Sequence, residues 1–446
     1  MTESPEQPVS APSSRRPVGK NMRWGIAVLI GVGILINYFD RSNLSVVEGP
    51  MSQDLGLSAS QFGILLSSFG WSYLLFQIPM GALLDRIGVR WMQRVATLIW
   101  FVATALTALV SGMGLILFAR LLLGAAEAPS LVAASKAVGY WFPVRERGLA
   151  SASYEVAAKL SNVIALPLVA GATAIWGWQA GFLTTAILSL LYAAAFWLWY
   201  RDPQQKRSLS KQEYDYIVDG GAQQPGESAQ PIVAGVGMFL RQRRIWGLSI
   251  GFAAYNYSFY LFLTWIPGYL EREMHMSVLK GGAYAVIPWI VATITDLVVA
   301  GWLVDRLIKK GYDPTKVRKT VLVVSMLFGL TVVGAAFTHS PGFAVLWITI
   351  AMGGLAAVSP VCWSIPSLIA PRGTVGTVGS IMNCIGQIGA ITAPLITGFT
   401  VDASGAFATA FIIAGIILLI GIVSFVFVLG SLEQVTLGQP AAAVNS

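Results

Sequence analysis

The sequence is poor in charged residues and in cysteine. Only 11% of its 446 residues are Asp, Glu, Lys or Arg, whereas soluble domains carry about 25%, so an ordinary cytosolic enzyme is excluded. Its two cysteines, Cys362 and Cys384, lie in apolar runs, which excludes a disulfide framework and a cysteine zinc site. The sequence also lacks a phosphate-binding glycine loop, a metal-ligand cluster and a nucleophile motif. We therefore predict no enzymatic activity, no metal and no cofactor.

Long hydrophobic runs dominate instead. Hydrophobic residues make up 55% of the chain, and a membrane helix needs roughly 20 mostly apolar residues. The first run is too long for a signal-peptide core and no cleavage pattern follows it, so we interpret it as an uncleaved span. Runs of sufficient length occupy twelve segments: 24–47, 61–84, 92–111, 114–140, 148–172, 177–200, 244–270, 281–304, 319–338, 342–369, 375–400 and 405–430. The pattern predicts an all-α membrane protein with twelve transmembrane helices in a lipid bilayer.

The positions of the basic residues give the orientation. The formal net charge is +8, which would be compatible with nucleic-acid binding. The Lys and Arg residues cluster, however, in alternate loops between the apolar runs, as they do at membrane flanks. The positive-inside rule places these loops and both termini in the cytoplasm. We therefore predict no nucleic-acid partner.

Polar segments divide the chain into two halves. We predict a disordered cytoplasmic tail over 1–20, a six-helix bundle over 21–200 and a cytoplasmic linker over 201–243. A second six-helix bundle over 244–430 and a cytoplasmic tail over 431–446 follow. The motif Gly-x-x-x-Asp-Arg ends the second span at 81–86 and the eighth span at 301–306. Such repeated halves are typical of secondary transporters, whose substrate site lies between the halves near the midplane.

Four charged residues stand deep in the spans of the first half. Asp40 and Arg41 lie in the first span, and Arg120 and Glu127 lie two turns apart on one face of the fourth. An ionisable group at the bilayer centre costs at least about 2.5–3.5 kcal/mol, so it is a functional hypothesis by default. Two acids with two bases suit a proton-coupled anion site, because an Arg can hold a carboxylate through two hydrogen bonds. We expect these groups to converge around a shared water-filled chamber halfway through the membrane.

Four further charged residues in the spans leave alternatives open. Glu155 and Lys159 are four residues apart, so they are able to pair along one helix as a structural ion pair. Lys136 lies nearer the cytoplasm and is able to reach the membrane surface. Asp296 in the eighth span has no obvious partner in the sequence; it faces a cavity, pairs with an unseen group or takes up a proton itself.

Polar and aromatic residues, rather than bases, occupy the spans of the second half. They suit a polar or polyhydroxylated ligand, although hydrogen bonding between helices explains any one of them equally well. The candidates are Tyr255, Asn256, Tyr257, Tyr260, Trp265, Trp363, Ser364, Asn383 and Gln387.

These motifs carry a family resemblance. The stretch Gly81-Ala-Leu-Leu-Asp85-Arg86-Ile-Gly88-Val-Arg90 resembles the signature of the major facilitator superfamily between spans two and three. Within that superfamily, the stretches 37–45, 120–129, 141–147 and 265–270, with Asn383, resemble the anion:cation symporter family. That family includes bacterial galactonate, hexuronate and glucarate transporters. The resemblance implies two pseudo-symmetric six-helix bundles that form the major facilitator fold.

The resemblance also implies roles for individual residues. Asp40 and Glu127 would bind the coupling protons, and Arg120 would pair with Glu127 and tune its proton affinity. Arg41 would hold the substrate carboxylate, with Tyr38, Tyr73 and Asn383 as further ligands. The cluster of Gly81, Asp85, Arg86, Gly88 and Arg90 would lock a cytoplasmic gate, with the Asp85 carboxylate facing a helix amino terminus. We add Lys159, Trp363 and Ser364 to the expected substrate site and Glu155 to the tuning ion pairs.

The chain departs from the sugar-acid carriers at Lys136 and Lys159. An additional cation in the cavity suits a second carboxylate, so sugar acids, aromatic acids and dicarboxylates all stay open as substrates. We predict a monomeric, proton-coupled symporter in the inner membrane of a bacterium, which imports a small organic anion by alternating access. The alternatives are an organic-anion exporter or antiporter of the same fold, or a membrane sensor that does not transport.

Overall fold

The computed structural model describes residues 22–143, 145–223, 236–338, 340–370 and 375–433. These residues are helical, and no strand occurs among them. In the first half the helices are α1 (Met22–Val46), α2 (Glu48–Leu55), α3 (Ala59–Leu109), α4 (Met113–Glu127), α5 (Ser130–Trp141), α6 (Arg147–Trp176) and α7 (Trp178–Trp199). Between the halves lie a 3-10 turn (Pro203–Gln205), α8 (Lys211–Asp219) and α9 (Val236–Phe239).

The second half repeats this pattern of long apolar helices. It contains α10 (Arg243–Arg272), α11 (Val278–Thr295), a π-helical segment (Asp296–Leu303), α12 (Val304–Lys309), α13 (Pro314–Gly329), α14 (Val332–Ala335), α15 (Pro341–Leu355), α16 (Val358–Ser364), α17 (Pro366–Ile369), α18 (Val375–Ser404), α19 (Ala408–Val423) and a second π-helical segment (Ser424–Val428). The predicted tail 1–20, the middle of the linker and most of the tail 431–446 lie outside the described residues.

The spans agree with the twelve segments predicted. Ten helices of the described chain are long and apolar enough to cross a membrane. One of them, α3, has 51 residues and would be about 76 Å long if straight, which is two spans. It bends at Gly88, whose φ of 77° is a left-handed conformation that glycine adopts at little cost. With α3 divided and the more polar, 30-residue α10 added, the number of spans is twelve. The predicted helical membrane fold is confirmed.

Apolar side chains cover the outer surface as well as the interior. Ile78 is 81% exposed, and Leu191 and Phe427 are also exposed. In water such a surface would aggregate, whereas in a bilayer it faces lipid. The buried apolar residues form two clusters. One lies mainly within the first half, and the other lies in the second half and continues into residues 44–66 and into parts of 108–182 of the first.

The two halves meet through α3 with α18 and through α6 with α11. We call the side on which α7 ends and α10 begins the linker side, and the opposite side, where α2 lies, the far side. On the far side, Glu48 of α2 forms an ion pair with Arg272 of α10. Gly63 of α3 lies directly against the backbone oxygen of Pro394 in α18, where a methyl group would clash. The far side is therefore closed by close packing between the halves.

Candidate functional site

The centre of the first half is built around an ion pair between α1 and α4. The Nε atom of Arg41 lies 3.0 Å from Oε2 of Glu127. Arg41 is 6% exposed and Glu127 is fully buried, so this pair is shielded from water and from salt. One nitrogen of Arg41, Nη2, and one oxygen of Glu127, Oε1, have no hydrogen-bond partner among the described residues. Each partner thus keeps an unused bonding position.

The second base of this cluster does not take the expected partner. Arg120 donates from Nη1 to the backbone oxygen of Asp40, 3.3 Å away, whereas the family resemblance implied a pair with Glu127. Arg120 and Glu127 lie seven residues apart on α4, about 10.5 Å along the axis. Arg41, which enters from the neighbouring helix, is the base that reaches Glu127.

Asp40 is a buried carboxylate held by hydroxyl groups. It is 1% exposed, and its Oδ2 atom accepts a hydrogen bond of 2.9 Å from Ser189 of α7. Thr104 and Thr185 close around the same group. Its Oδ1 atom has no hydrogen-bond partner among the described residues. The carboxylate therefore lies next to Arg41 in sequence but shares no ion pair with it.

Aromatic rings enclose the guanidinium group of Arg41. Its central carbon lies 4.7 Å from the ring centre of Tyr38, 4.8 Å from that of Phe69 and 4.9 Å from that of Tyr73. The ring of Phe69 also lies 5.4 Å from the guanidinium group of Arg120. Cation–π contacts stabilise a desolvated guanidinium by about 2 kcal/mol. The rings thus replace part of the hydration that Arg41 loses on burial.

Polar contacts hold α1 at a defined height and rotation. Ser42 donates to Asn162 of α6 at 2.5 Å, and Asn43 donates to Thr185 of α7 at 2.7 Å. On the other side, Gly124 of α4 touches the backbone oxygen of Phe69 and the hydroxyl of Ser72, where a Cβ would clash. This glycine lets α4 approach α3 closely, which aligns Glu127 with Arg41.

A second ion pair joins the two halves. Lys159 of α6 pairs with Asp296, which begins the π-helical segment after α11. Glu155, the carboxylate expected to pair with Lys159 along the helix, lies within electrostatic range of Lys159, while the direct ion pair is with Asp296. Lys159 also lines a cavity of about 380 Å³ whose other walls come from the second half, including Tyr255, Phe259 and Trp289.

The four charged residues expected around a common chamber converge, but the cavity beside Lys159 lies apart from them. Asp40, Arg41, Arg120 and Glu127 do converge, but all four are at most 6% exposed and are packed against one another and against aromatic rings. The described cavity lies beside Lys159, and its lining residues include none of these four. The ionic cluster and the cavity are therefore separate in this conformation.

The polar residues expected from the second half are dispersed. Tyr260 lies within electrostatic range of Arg41 and Tyr73, and Asn383 is half-buried on α18. Trp363 is 48% exposed and packs edge-on against Phe252. Ser364 accepts a hydrogen bond of 3.1 Å from Arg318, which places it with a base of α13.

The residues Phe69 and Ser189, missed by sequence reasoning, contact the ionic cluster directly. Phe69 could have been found, because it precedes Tyr73 by one helical turn on the same face. Ser189 carries no such signal, since a serine in a span is most often bonded to its own helix. Among the described residues, no group of three metal-ligating side chains comes together.

The predicted gate motif lies on the linker side of α3. The Oδ1 atom of Asp85 lies 2.5 Å from Nζ of Lys136 in α5, and the Asp85 side chain is 72% exposed. Arg90 donates to Gln205 at 2.8 Å, beyond the bend at Gly88. The carboxylate thus contacts a lysine rather than the helix amino terminus that we expected, and the motif is open to solvent in this conformation.

The linker contacts the first half through a network outside the membrane. Glu146 accepts hydrogen bonds from Arg23, at 2.7 Å, and from Tyr216 of α8, at 2.8 Å. Partial burial raises the pKa of the Glu146 carboxyl, but the bonds from Arg23 and Tyr216 outweigh it and hold that pKa below its usual range. Glu213 of α8 also accepts from Arg23, at 3.2 Å. Arg23 therefore joins α1, α6 and α8.

Comparison with known proteins identifies the scaffold. The family model of the Major Facilitator Superfamily matches residues 30–383. An uncharacterized transporter of Bacillus subtilis (strain 168), YybO, is 39% identical, and the match covers 93% of this chain and 96% of that protein. The D-galactonate transporter of Escherichia coli O6:H1 is 30% identical, with 93% and 97% covered. The probable galactarate/D-glucarate transporter GudP of Escherichia coli (strain K12) is 32% identical, with 95% and 96% covered.

Solved structures show the same architecture. A bacterial homologue of the human lysosomal transporter Spinster superposes with a TM-score of 0.74 at 18% identity, covering 92% of this chain and 97% of that one. At this identity the likeness extends to the fold alone. The predicted fold and the predicted family resemblance are both confirmed.

Proposed function

This chain belongs to the major facilitator superfamily and is a membrane-embedded transporter of organic acids, and we propose that it is a proton-coupled symporter that imports its substrate by alternating access. The observation that supports this proposal is the buried pair of Arg41 and Glu127, with the separate buried carboxylate of Asp40 beside it. The same neighbourhood offers a fixed cation for an anion and two positions for protons.

Competition between Glu127 and the substrate carboxylate for Arg41 would couple proton uptake to substrate binding. While Glu127 is ionised, it occupies the guanidinium group. A proton on Glu127 removes that charge and frees Arg41 to hold a substrate carboxylate through two parallel hydrogen bonds. The uncommitted Nη2 atom of Arg41 gives the incoming carboxylate its first bond. Glu127 then releases its proton when Arg41 is again available, which links anion release to proton release.

Asp40 would hold a second proton. An ionised carboxylate buried without a cation is costly, and Asp40 has only hydroxyl neighbours within hydrogen-bond range. Proton uptake relieves that cost. The backbone bond from Arg120 to Asp40 would transmit a change at Asp40 to the second base of the cluster. Tyr38 and Tyr73 complete the surroundings of the bound carboxylate, and Asn383 would be a further ligand from the second half.

The conformation would be the inward-facing one. The far side is closed by the packing of Gly63 against Pro394 and by the pair of Glu48 with Arg272, whereas Asp85 on the linker side is solvent-exposed. We place the linker side and both termini in the cytoplasm of a bacterium. The bundles 21–200 and 244–430 would rotate against each other as two rigid bodies about the cavity between them. The protein would act as a monomer.

The relatives suggest the substrate class. They are named as transporters of galactonate, galactarate and glucarate, and of hexuronate. Polyhydroxylated acids suit an arginine with tyrosines and amides around it. We therefore propose a sugar acid as the imported anion.

The test is uptake into liposomes that contain the purified protein. We expect an inward proton gradient to drive accumulation of at least one acid from a panel of galactonate, galactarate, glucarate and glucuronate, and a proton ionophore to abolish it. Accumulation driven by a sodium gradient alone would contradict proton coupling. Accumulation driven by an outward proton gradient would instead identify an exporter. Saturable binding without flux would identify a sensor.

A further inference from the structure

The ion pair of Lys159 and Asp296 lies at mid-depth and joins the two halves. Lys159 is the thirteenth of the 30 residues of α6, about 18 Å from its start. Asp296 follows the 18 residues of α11 and lies equally deep in its own span. A charged lysine or aspartate near the membrane centre is energetically costly and rare, so a pair at this depth calls for a functional explanation.

The two residues of this ion pair differ in their access to the cavity that Lys159 lines. Lys159 lines that cavity, and its side chain is 31% exposed, whereas the Asp296 side chain is only 10% exposed. The other walls are aromatic and aliphatic side chains of the second half. Lys159 is thus the cationic group that a molecule in the cavity would contact. The less exposed Asp296 is the partner of Lys159 in the ion pair.

The backbone at Asp296 is not regular α-helix. Residues Asp296–Leu303 form a π-helical segment in the last third of the eighth span. π-helical turns within helices are rare and occur mainly at functional sites, because their hydrogen bonds are more easily rearranged. Asp296 therefore lies at a place where the helix can yield when its partner changes.

The register of α1 against α6 places Lys159 near Arg41. Ser42 bonds to Asn162, and Gly31 lies against Ser153 and Ala157, so the two helices run in the same direction. On this alignment Lys159 is level with Tyr38, three residues or about 4.5 Å along the axis from Arg41. Two cations on neighbouring helices thus stand within one helical turn of each other in depth.

We propose that Lys159 is a second carboxylate-binding position, which Asp296 occupies while the cavity is empty. This inference rests on the proposed function: one carboxylate of the substrate binds Arg41, and a second displaces Asp296 from Lys159. A dicarboxylate therefore replaces an ion pair between the halves with bonds to itself. A monocarboxylate leaves Lys159 paired with Asp296. The specificity of the site is then for a linear organic dianion.

The experiment compares galactarate with D-galactonate, which share their configuration at C2–C5 and differ only at C6, a carboxylate in galactarate and a hydroxymethyl group in galactonate. Binding to the purified full-length protein is measured by titration calorimetry. We expect the unaltered protein to bind galactarate more tightly. Asp296→Asn should tighten galactarate binding about tenfold, which is about 1.4 kcal/mol, because the substrate carboxylate no longer displaces an ion-pair partner of Lys159, and it should leave galactonate binding unchanged. Lys159→Gln should reduce galactarate affinity to that of galactonate, whereas Lys159→Arg should keep the preference.

The double variant Lys159→Gln with Asp296→Asn isolates the interaction. The increase in galactarate affinity caused by Asp296→Asn should vanish when Lys159 is also replaced. The control Asp215→Asn, a carboxylate-to-amide change on α8, should alter the affinity for neither acid. The proposal is overturned if Lys159→Gln weakens both acids equally, if Asp296→Asn fails to tighten galactarate binding, or if the unaltered protein prefers galactonate. In each of these cases the proposed function stands. Absence of binding for every sugar acid would overturn both.

Discussion

Asp402, near the end of α18, accepts hydrogen bonds from the backbone nitrogens of Ala59 and Ser60, at 2.8 Å and 2.7 Å. These two residues form the first turn of α3, so a carboxylate of the second half caps a helix of the first. The positive end of a helix dipole favours such a charge. The contact lies on the far side and exists only while the halves are closed there.

We expect Asp402→Ala to shift the protein toward a conformation that is open on the far side. The substitution removes two charge-assisted bonds, worth about 1.5–3 kcal/mol each where buried and less here because Asp402 is exposed. Double electron–electron resonance between labels on the far ends of α3 and α18 should show a larger population at long distance. Asp313→Ala is the matched control, since Asp313 caps α13 through Lys316 and both residues belong to the second half. An equal shift in both variants would assign the effect to helix fraying.

Arg41→Ala should abolish substrate binding, because the substrate carboxylate loses its only proposed guanidinium partner. Arg41→Lys keeps the charge but loses the planar fork, and we expect it to weaken binding by about tenfold to a hundredfold. Isothermal titration with a sugar acid that the unaltered protein transports provides the measurement. Equal affinities for Arg41→Lys and the unaltered protein would show that a point charge suffices and would refute bidentate binding.

Asp40→Asn and Glu127→Gln should impair proton-driven accumulation more than counterflow. In counterflow the substrate exchanges between the two sides without net proton movement, so a carrier that has lost a protonation site still exchanges. We expect at least a tenfold loss of accumulation in each variant, with counterflow reduced much less. Ser189→Ala, which removes the hydroxyl bonded to Asp40 but keeps the carboxylate, should retain coupling. Full accumulation in both acid variants would remove these carboxylates from the proton path.

The attachment of α8 to the first half should weaken in acid. Bonds from Arg23 and Tyr216 lower the pKa of Glu146 in the folded protein. A carboxyl whose pKa is lowered on folding contributes stability above its unfolded pKa and loses that contribution as the pH falls through its folded pKa. The protection of α8 against hydrogen exchange, relative to the exchange rate of an unfolded peptide at the same pH, should therefore fall as the pH drops below the unfolded Glu value of about 4.3. Glu146→Gln should lower that protection at neutral pH and flatten its dependence on pH; an unchanged profile would place the acid sensitivity at another group.

The fold was accessible from the sequence because its signal is local. Each span is a continuous apolar run, so a charged residue within a run is easily recognised in the sequence. The positions of Asp40, Arg41, Arg120 and Glu127 therefore predicted a buried cluster, and the structure brings these four residues together. The π-helical segment at Asp296 has no comparable signal, since its residues are as apolar as those of a regular helix.

The pairing of the charges was less predictable. Spacing along one helix favoured Glu155 with Lys159, and the family resemblance favoured Arg120 with Glu127. The structure instead pairs Lys159 with Asp296 and Arg41 with Glu127. In both cases the partner comes from another helix, because packed helices bring side chains closer than one or two turns of the same helix do.

Hydropathy and helix length depend only on consecutive residues. The order of the amino acids is therefore enough to predict that this chain crosses a membrane many times and carries acids and bases in its spans. Which acid contacts which base depends on how the helices pack, and so does the finding that Lys159, alone among the charged residues discussed, lines the cavity described above. Those outcomes depend on the height and rotation of each helix against its neighbours. Contacts such as Gly124 against Phe69 and Ser42 with Asn162 set both.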